Sequence, residues 1–98
     1  MPLRHVVLWA FKDAILPAER EALLVDLRGL ATSVPALRSV EVGENITPGR
    51  AQGHTHLMIQ TFDDRAGLAA YQAHPAHVPV AARLRDAAAQ LCAVDLEA

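Results

Sequence analysis

A four-stranded antiparallel sheet covered on one face by helices, an α+β fold, is what this 98-residue sequence predicts. Two patterns carry the prediction. Four segments alternate apolar and other residues with the period-two rhythm of strands, and two stretches between them repeat apolar residues at helical spacing. The order along the chain is β-α-β-β-α-β, the split βαβ or ferredoxin-like arrangement.

The first strand is expected over Leu3 to Phe11, with Leu3, His5, Val7, Trp9 and Phe11 on one face and Arg4, Val6, Leu8 and Ala10 on the other. Pro17 opens a helix, its missing N–H costing no bond in the first turn, and Glu19 and Glu21 suit the positive end of the helix dipole. Leu23, Leu27, Leu30 and Val34 form its apolar stripe, and Pro35 ends it. A second strand is expected over Leu37 to Gly43, then a turn-rich, mobile segment from Asn45 to Gly53. His54 to Phe62 forms a third strand with His54, His56, Met58, Gln60 and Phe62 on one face. Asp63-Asp64 caps a short helix through Leu68 and Tyr71. Pro75 marks the start of the next helical segment, with His74 at its mouth and His77 in its first turn. An alanine-rich helix from Val78 to Ala89 and a strand from Leu91 to Leu96 complete the chain.

Two helical elements cover only one face of such a sheet. The other face carries Val6, Leu8, Leu57, Ile59, Val94 and Leu96, where an antiparallel sheet open to water should be polar. A patch of this size calls for a cover, and the same face of a second copy supplies one through a two-fold axis. A homodimer is therefore expected.

Composition narrows the function classes. The length suits one domain, residues 1–98, with a single core. The chain is 52% apolar but only 4% aromatic, and its net charge of -2 is spread along the sequence. No basic patch suggests a nucleic-acid partner, and no apolar run is long enough to span a membrane. The single cysteine, Cys92, cannot close an internal disulfide, which fits a reducing, cytoplasmic setting.

The chemistry concentrates in Tyr71-Gln72-Ala73-His74-Pro75-Ala76-His77. If the helices pack on the face holding Trp9 and Met58, His5 and His56 lie beneath them, and Tyr71 and His77 face them from above. Four polar groups then converge on an apolar pocket, the usual form of a ligand site. A histidine desolvated there stays neutral near pH 7 and serves as a base. The bland alternative is a structural network in which these side chains satisfy one another, with His74 capping a helix. Zinc bound by three histidines is a further alternative, but the His-x-x-His spacing lacks the glutamate of His-Glu-x-x-His, and no carboxylate or thiol is evidently aimed at the group. Nucleophilic catalysis has no Gly-x-Ser-x-Gly elbow to support it. Neither metal nor organic cofactor is expected.

The run Arg4-His5-Val6-Val7-Leu8-Trp9-Ala10-Phe11-Lys12-Asp13, then Gly53-His54-Thr55-His56, Tyr71 to His77 and Val94-Asp95 resembles the stress-responsive A/B barrel (Dabb) family over nearly the whole chain. The resemblance implies a ferredoxin-like protomer forming a dimeric α/β barrel. One plant member is a polyketide cyclase that closes a ring by intramolecular aldol condensation. By matching positions, the resemblance makes His77 the base and Tyr71 its partner. His5 and His56 become pocket residues, with Val7, Trp9, Leu23 and Met58 in the walls around a small-molecule substrate.

Overall fold

The computed structural model describes all 98 residues. Its elements are β1 (Leu3–Phe11), α1 (Pro17–Ser33), β2 (Ser39–Glu44), a single 3-10 turn (Pro48–Arg50), β3 (His56–Phe62), α2 (Arg65–Ala73), α3 (His77–Ala87) and β4 (Ala88–Glu97). The four strands form one sheet in the order β2-β3-β1-β4, and every neighbouring pair is antiparallel. This is the ferredoxin-like α+β fold.

Local chemistry sets the boundaries. Pro17 stands at the start of α1, and the helix stops at Ser33, ahead of Val34 in extended geometry and Pro35. Asp64 caps α2, its carboxylate accepting the Gly67 N–H at 2.9 Å. The neighbouring Asp63 instead pairs with Arg38. Pro75 does not open a helix as expected: it lies in the turn between α2 and α3, and α3 begins at His77. Pro79 is the proline of the first turn, where it breaks no helical bond. β2 and β3 start two residues later than the alternation suggests, because Leu37 is drawn into the helix-covered core and His54 into the preceding loop. β4 begins earlier, directly at the end of α3, and accommodates one extra residue opposite Ala10 and Phe11 as a bulge.

The turn-rich segment is tied rather than free. Asn45 accepts the Thr47 N–H, the His54 ring meets the Ala51 carbonyl at 2.8 Å, and Gln90 of β4 donates to the Gln52 carbonyl. Gly53 takes φ 88°, a left-handed conformation that suits glycine, and so admits this return into β3.

One continuous core fills the space between sheet and helices. It joins Val7, Trp9, Phe11, Met58 and Phe62 from the sheet to Leu23, Leu27, Leu30, Tyr71 and Leu84 from the helices. On the opposite face Val6 pairs with Ile59 and Val94, and Leu8 with Leu57 and Cys92. Val94 and Leu96 remain 59% and 57% exposed there, so this apolar face is uncovered in the single chain. No helix is long and apolar enough to cross a membrane.

Candidate active site

Between the sheet and the α2–α3 break lies a cavity of about 200 Å³ lined by Val7, Leu27, Met58, Ala81, Leu84, Leu91 and Ala93, with polar groups from His5, Gln60, Tyr71, Gln72, His77 and Arg85. Its volume falls below the roughly 300–1,000 Å³ of pockets that enclose drug-sized ligands, so it suits a small one. His5, Val7, Met58, Tyr71 and His77 of the expected set meet here. His56, Trp9 and Leu23 do not line this cavity.

The helix break positions His77. His74 closes α2 by donating its backbone N–H to the Tyr71 carbonyl, and its own carbonyl accepts the N–H groups of His77 and Val78. The His74 ring accepts the Ala76 N–H through Nδ1 at 3.0 Å. His74 is thus the clasp of the turn. The turn sets the His77 ring against the Tyr71 ring, 4.2 Å between centroids, and brings His77 Nδ1 to 3.1 Å from the Gln72 carbonyl. A carbonyl only accepts, so Nδ1 carries the hydrogen and Nε2 keeps its lone pair. Burial lowers the His77 pKa below its ordinary 6.5, opposed by the Gln72 carbonyl and assisted by the charges of Arg85, His5 and His74. His77 is therefore neutral near pH 7 with a free basic nitrogen.

Tyr71 is 2% exposed, and burial pushes its phenol pKa upward against the opposing hydrogen bond from Gln60. It stays protonated. The Gln60 amide donates to the phenolic oxygen at 2.7 Å, which leaves the phenol hydrogen available to donate. Such a hydrogen stabilises negative charge developing on a ligand oxygen.

Two participants were not evident in the sequence. Gln60 was placed on the correct strand face but given no role, because its part depends on Tyr71 reaching it across the core. Asp95 was missed outright, and it overturns the reading that no carboxylate addresses the histidines. Its Oδ1 lies 2.5 Å from His5 Nδ1. The antiparallel register sets His5 directly opposite Asp95, and directly opposed residues share a face. The carboxylate accepts the Nδ1–H of His5 and so orients that ring. The register of the last strand was the signal that could have found it.

His56 sits at the other end of the sheet. It pairs with Trp9 across β1 and β3, stacks on that indole at 5.7 Å and meets the Phe11 edge at 4.9 Å. Gln60 at the cavity lies four residues further along β3, roughly 13 Å at strand rise. A shared face did not mean a shared pocket. Burial lowers the His56 pKa, with Glu44 opposing and Arg20 assisting, but its ring partner is the Thr55 hydroxyl, which donates or accepts and so fixes no tautomer. Leu23 is buried one turn from the cavity-lining Leu27 and borders a different depression with Ile15 and Ala87.

The stress responsive A/B barrel domain matches residues 3–98. The chain belongs to this family. Protein HS1 of Arabidopsis thaliana, which contains a stress-response A/B barrel domain, is 33% identical over 81 residues, 82% of this chain and 74% of that protein. Olivetolic acid cyclase of Cannabis sativa is 32% identical over 79 residues, 80% of this chain and 78% of the cyclase. Among solved structures, a dimeric ferredoxin-like protein of unknown function from Thermobifida fusca superposes with a TM-score of 0.85 at 27% identity, covering 100% of this chain and 92% of that one. The relatives of this chain thus include a cyclase, and its fold recurs in a dimeric protein.

The cavity's polar set contains imidazole, amide, hydroxyl and guanidinium groups but no carboxylate, and no three His, Cys, Asp or Glu side chains converge as a metal-holding group. What the arrangement can do chemically is remove a proton, steady an oxyanion and return a proton.

Proposed function

We propose that this A/B barrel protein is a cofactor-free acid–base catalyst of cyclase, isomerase or lyase type, acting on a small, partly apolar carbonyl compound. The observation that carries the reading is the His77 ring, whose Nδ1–H is taken by the Gln72 carbonyl at 3.1 Å while the ring lines the cavity beside Tyr71. His77 Nε2 removes a proton α to the carbonyl, and the electron pair moves onto the carbonyl oxygen. Tyr71 donates its phenol hydrogen bond to that enolate. In a ring closure the enolate carbon then attacks a second carbonyl of the same molecule, and the new alkoxide takes up a proton. His5, oriented by Asp95, is the second imidazole in reach of that step. Resemblance to a cyclase at 32% identity supports the class.

The working unit in this reading is a cytoplasmic homodimer closed through the apolar sheet face. The exposed Val94 and Leu96 and the dimeric relative support it, and the unpaired Cys92 suits a reducing compartment. Light scattering should give twice the chain mass, and Val94→Asp with Leu96→Lys should yield monomers.

A second reading has its own observation. His5, Tyr71 and His77 each already hold a protein partner, in Asp95, Gln60 and the Gln72 carbonyl, as a structural network in a non-catalytic binding protein would. The two are separated by following α-hydrogen exchange of small 1,3-dicarbonyl compounds in D2O by NMR. The catalytic reading expects enzyme-dependent exchange that His77→Ala abolishes while the fold survives. Absence of exchange across such a panel, with His77→Ala mainly lowering stability, would establish the binding protein instead.

A further inference from the structure

Arg85 brings to the cavity a positive charge that no side chain neutralises. Of the arginines on the helices, Arg28 faces Glu21, Arg65 meets Glu97 and Arg83 holds Asp26. Arg20 is held by the carbonyls of Ile15 and Lys12. Arg85 stands in the last turn of α3, lines the cavity, and joins no carboxylate within 4.0 Å. Arg4 and Arg50 also lack a carboxylate partner, but neither lines this cavity. The two arginines of α3 therefore differ in use: Arg83 ties the helix to α1, and Arg85, exposed and without a carboxylate, lines the cavity close enough to His77 for its charge to be felt there.

The other lining groups sharpen the point. His5, Tyr71, His77, Gln60 and Gln72 are neutral or cationic, and no Asp or Glu lines the cavity. The carboxylate of Asp95, which approaches from behind His5, is engaged by that ring. A site with an unpaired guanidinium and no inward carboxylate presents a planar fork of donors matched to a carboxylate.

We propose that the substrate of this site is a small oxo acid whose carboxylate sits on the Arg85 guanidinium. The carbonyl then lies toward Tyr71, and the carbon between the two groups lies near His77. The placement of the carbonyl rests on the acid–base reading above; the capture of the carboxylate does not. Arg85 is a specificity residue here, holding the charged end of the ligand at the mouth while the apolar remainder fills the space among Val7, Met58 and Leu84.

The test uses the full chain and two probes of the same shape, butanoate and butanamide, titrated while the imidazole and arginine side-chain NMR signals are followed. Butanoate should saturate the site, moving His77 and Arg85 signals, and should bind about tenfold more tightly than the amide, the value of one charge-assisted pair. The preference should shrink as salt rises, vanish in Arg85→Gln and survive in part in Arg85→Lys. Equal binding of acid and amide, no binding of either, or a preference unchanged in Arg85→Gln would overturn the proposal. Butanoate bound with its preference intact, but no α-hydrogen exchange on any dicarbonyl, would sink the catalytic reading and leave this one standing.

Discussion

The two ends of the helix-covered sheet face use the same strands, the same phase and the same residue type to opposite effect. At one end His56 is pressed between Trp9 and Phe11, with ring centroids 5.7 and 4.9 Å away, and aromatic bulk occupies the space. At the other, His5 and His77 face a cavity whose walls include Ala81 and Ala93. The difference lies in the neighbours: large rings fill the core side of His56, whose other side borders a surface depression with Asn45, Thr47 and His54, and the small Ala81 and Ala93 leave the apolar cavity open at the second end. Alternation places a histidine on a face, but the size of its neighbours decides whether it is packed among rings or borders an open cavity.

The largest effect should come from breaking the filled end. Trp9→Ala removes a fully buried indole and should cost about 3–5 kcal/mol, measured by denaturant unfolding. Such a loss is a large share of a small domain's stability, so Trp9→Phe is the companion variant. If Trp9→Ala costs less than about 1 kcal/mol, the filled end is not the packed anchor described here.

Tyr71→Phe tests the open end. It removes the only acceptor of the buried Gln60 amide, and leaving that donor unpaired should cost about 1–3 kcal/mol. A neutral effect would mean that the amide finds another partner and does not orient the phenol.

The two ends should also share an acid weakness. His56 and His77 both have pKa values lowered below 6.5, in each case chiefly by burial. The unfolded chain therefore binds more protons than the folded one as pH falls below about 6.5, so stability decreases over that interval until the lowered folded values are passed. Melting temperature should fall between pH 7.5 and 5.5, and replacing both histidines by Gln should flatten that slope. A slope unchanged in the double variant would contradict the assigned causes.

The smallest stability effect is expected at Ala93→Val, which adds methyl groups to the open end. Thermal unfolding should shift by less than about 0.5 kcal/mol, while butanoate binding should weaken. Unaltered binding would mean that Ala93 does not border the occupied space.

The sheet and its single helical layer were legible because they rest on periodicity and on proline and aspartate at helix starts. Tyr71 and His77 were legible because a few residues of sequence bring them together. Asp95 was not, since its closeness to His5 depends on the register of two strands ninety residues apart, and β4 carries a bulge. The separation of His56 from the cavity was equally hidden, because period two reports the face of a side chain and not its distance along the strand. Pro75 and Pro79 were confused for a simpler reason: both lie near the helix start, and only the geometry of His74 shows where the turn ends.

The claim on which the account turns is that His77 is a neutral imidazole with its hydrogen on Nδ1 and its Nε2 free. Two-bond ¹⁵N–¹H correlation spectra of the imidazoles, recorded through a pH titration, read both properties at once. The structure predicts the Nδ1–H tautomer for His77 and a midpoint below 6.5. An Nε2–H tautomer, or a midpoint above 6.5, would contradict it.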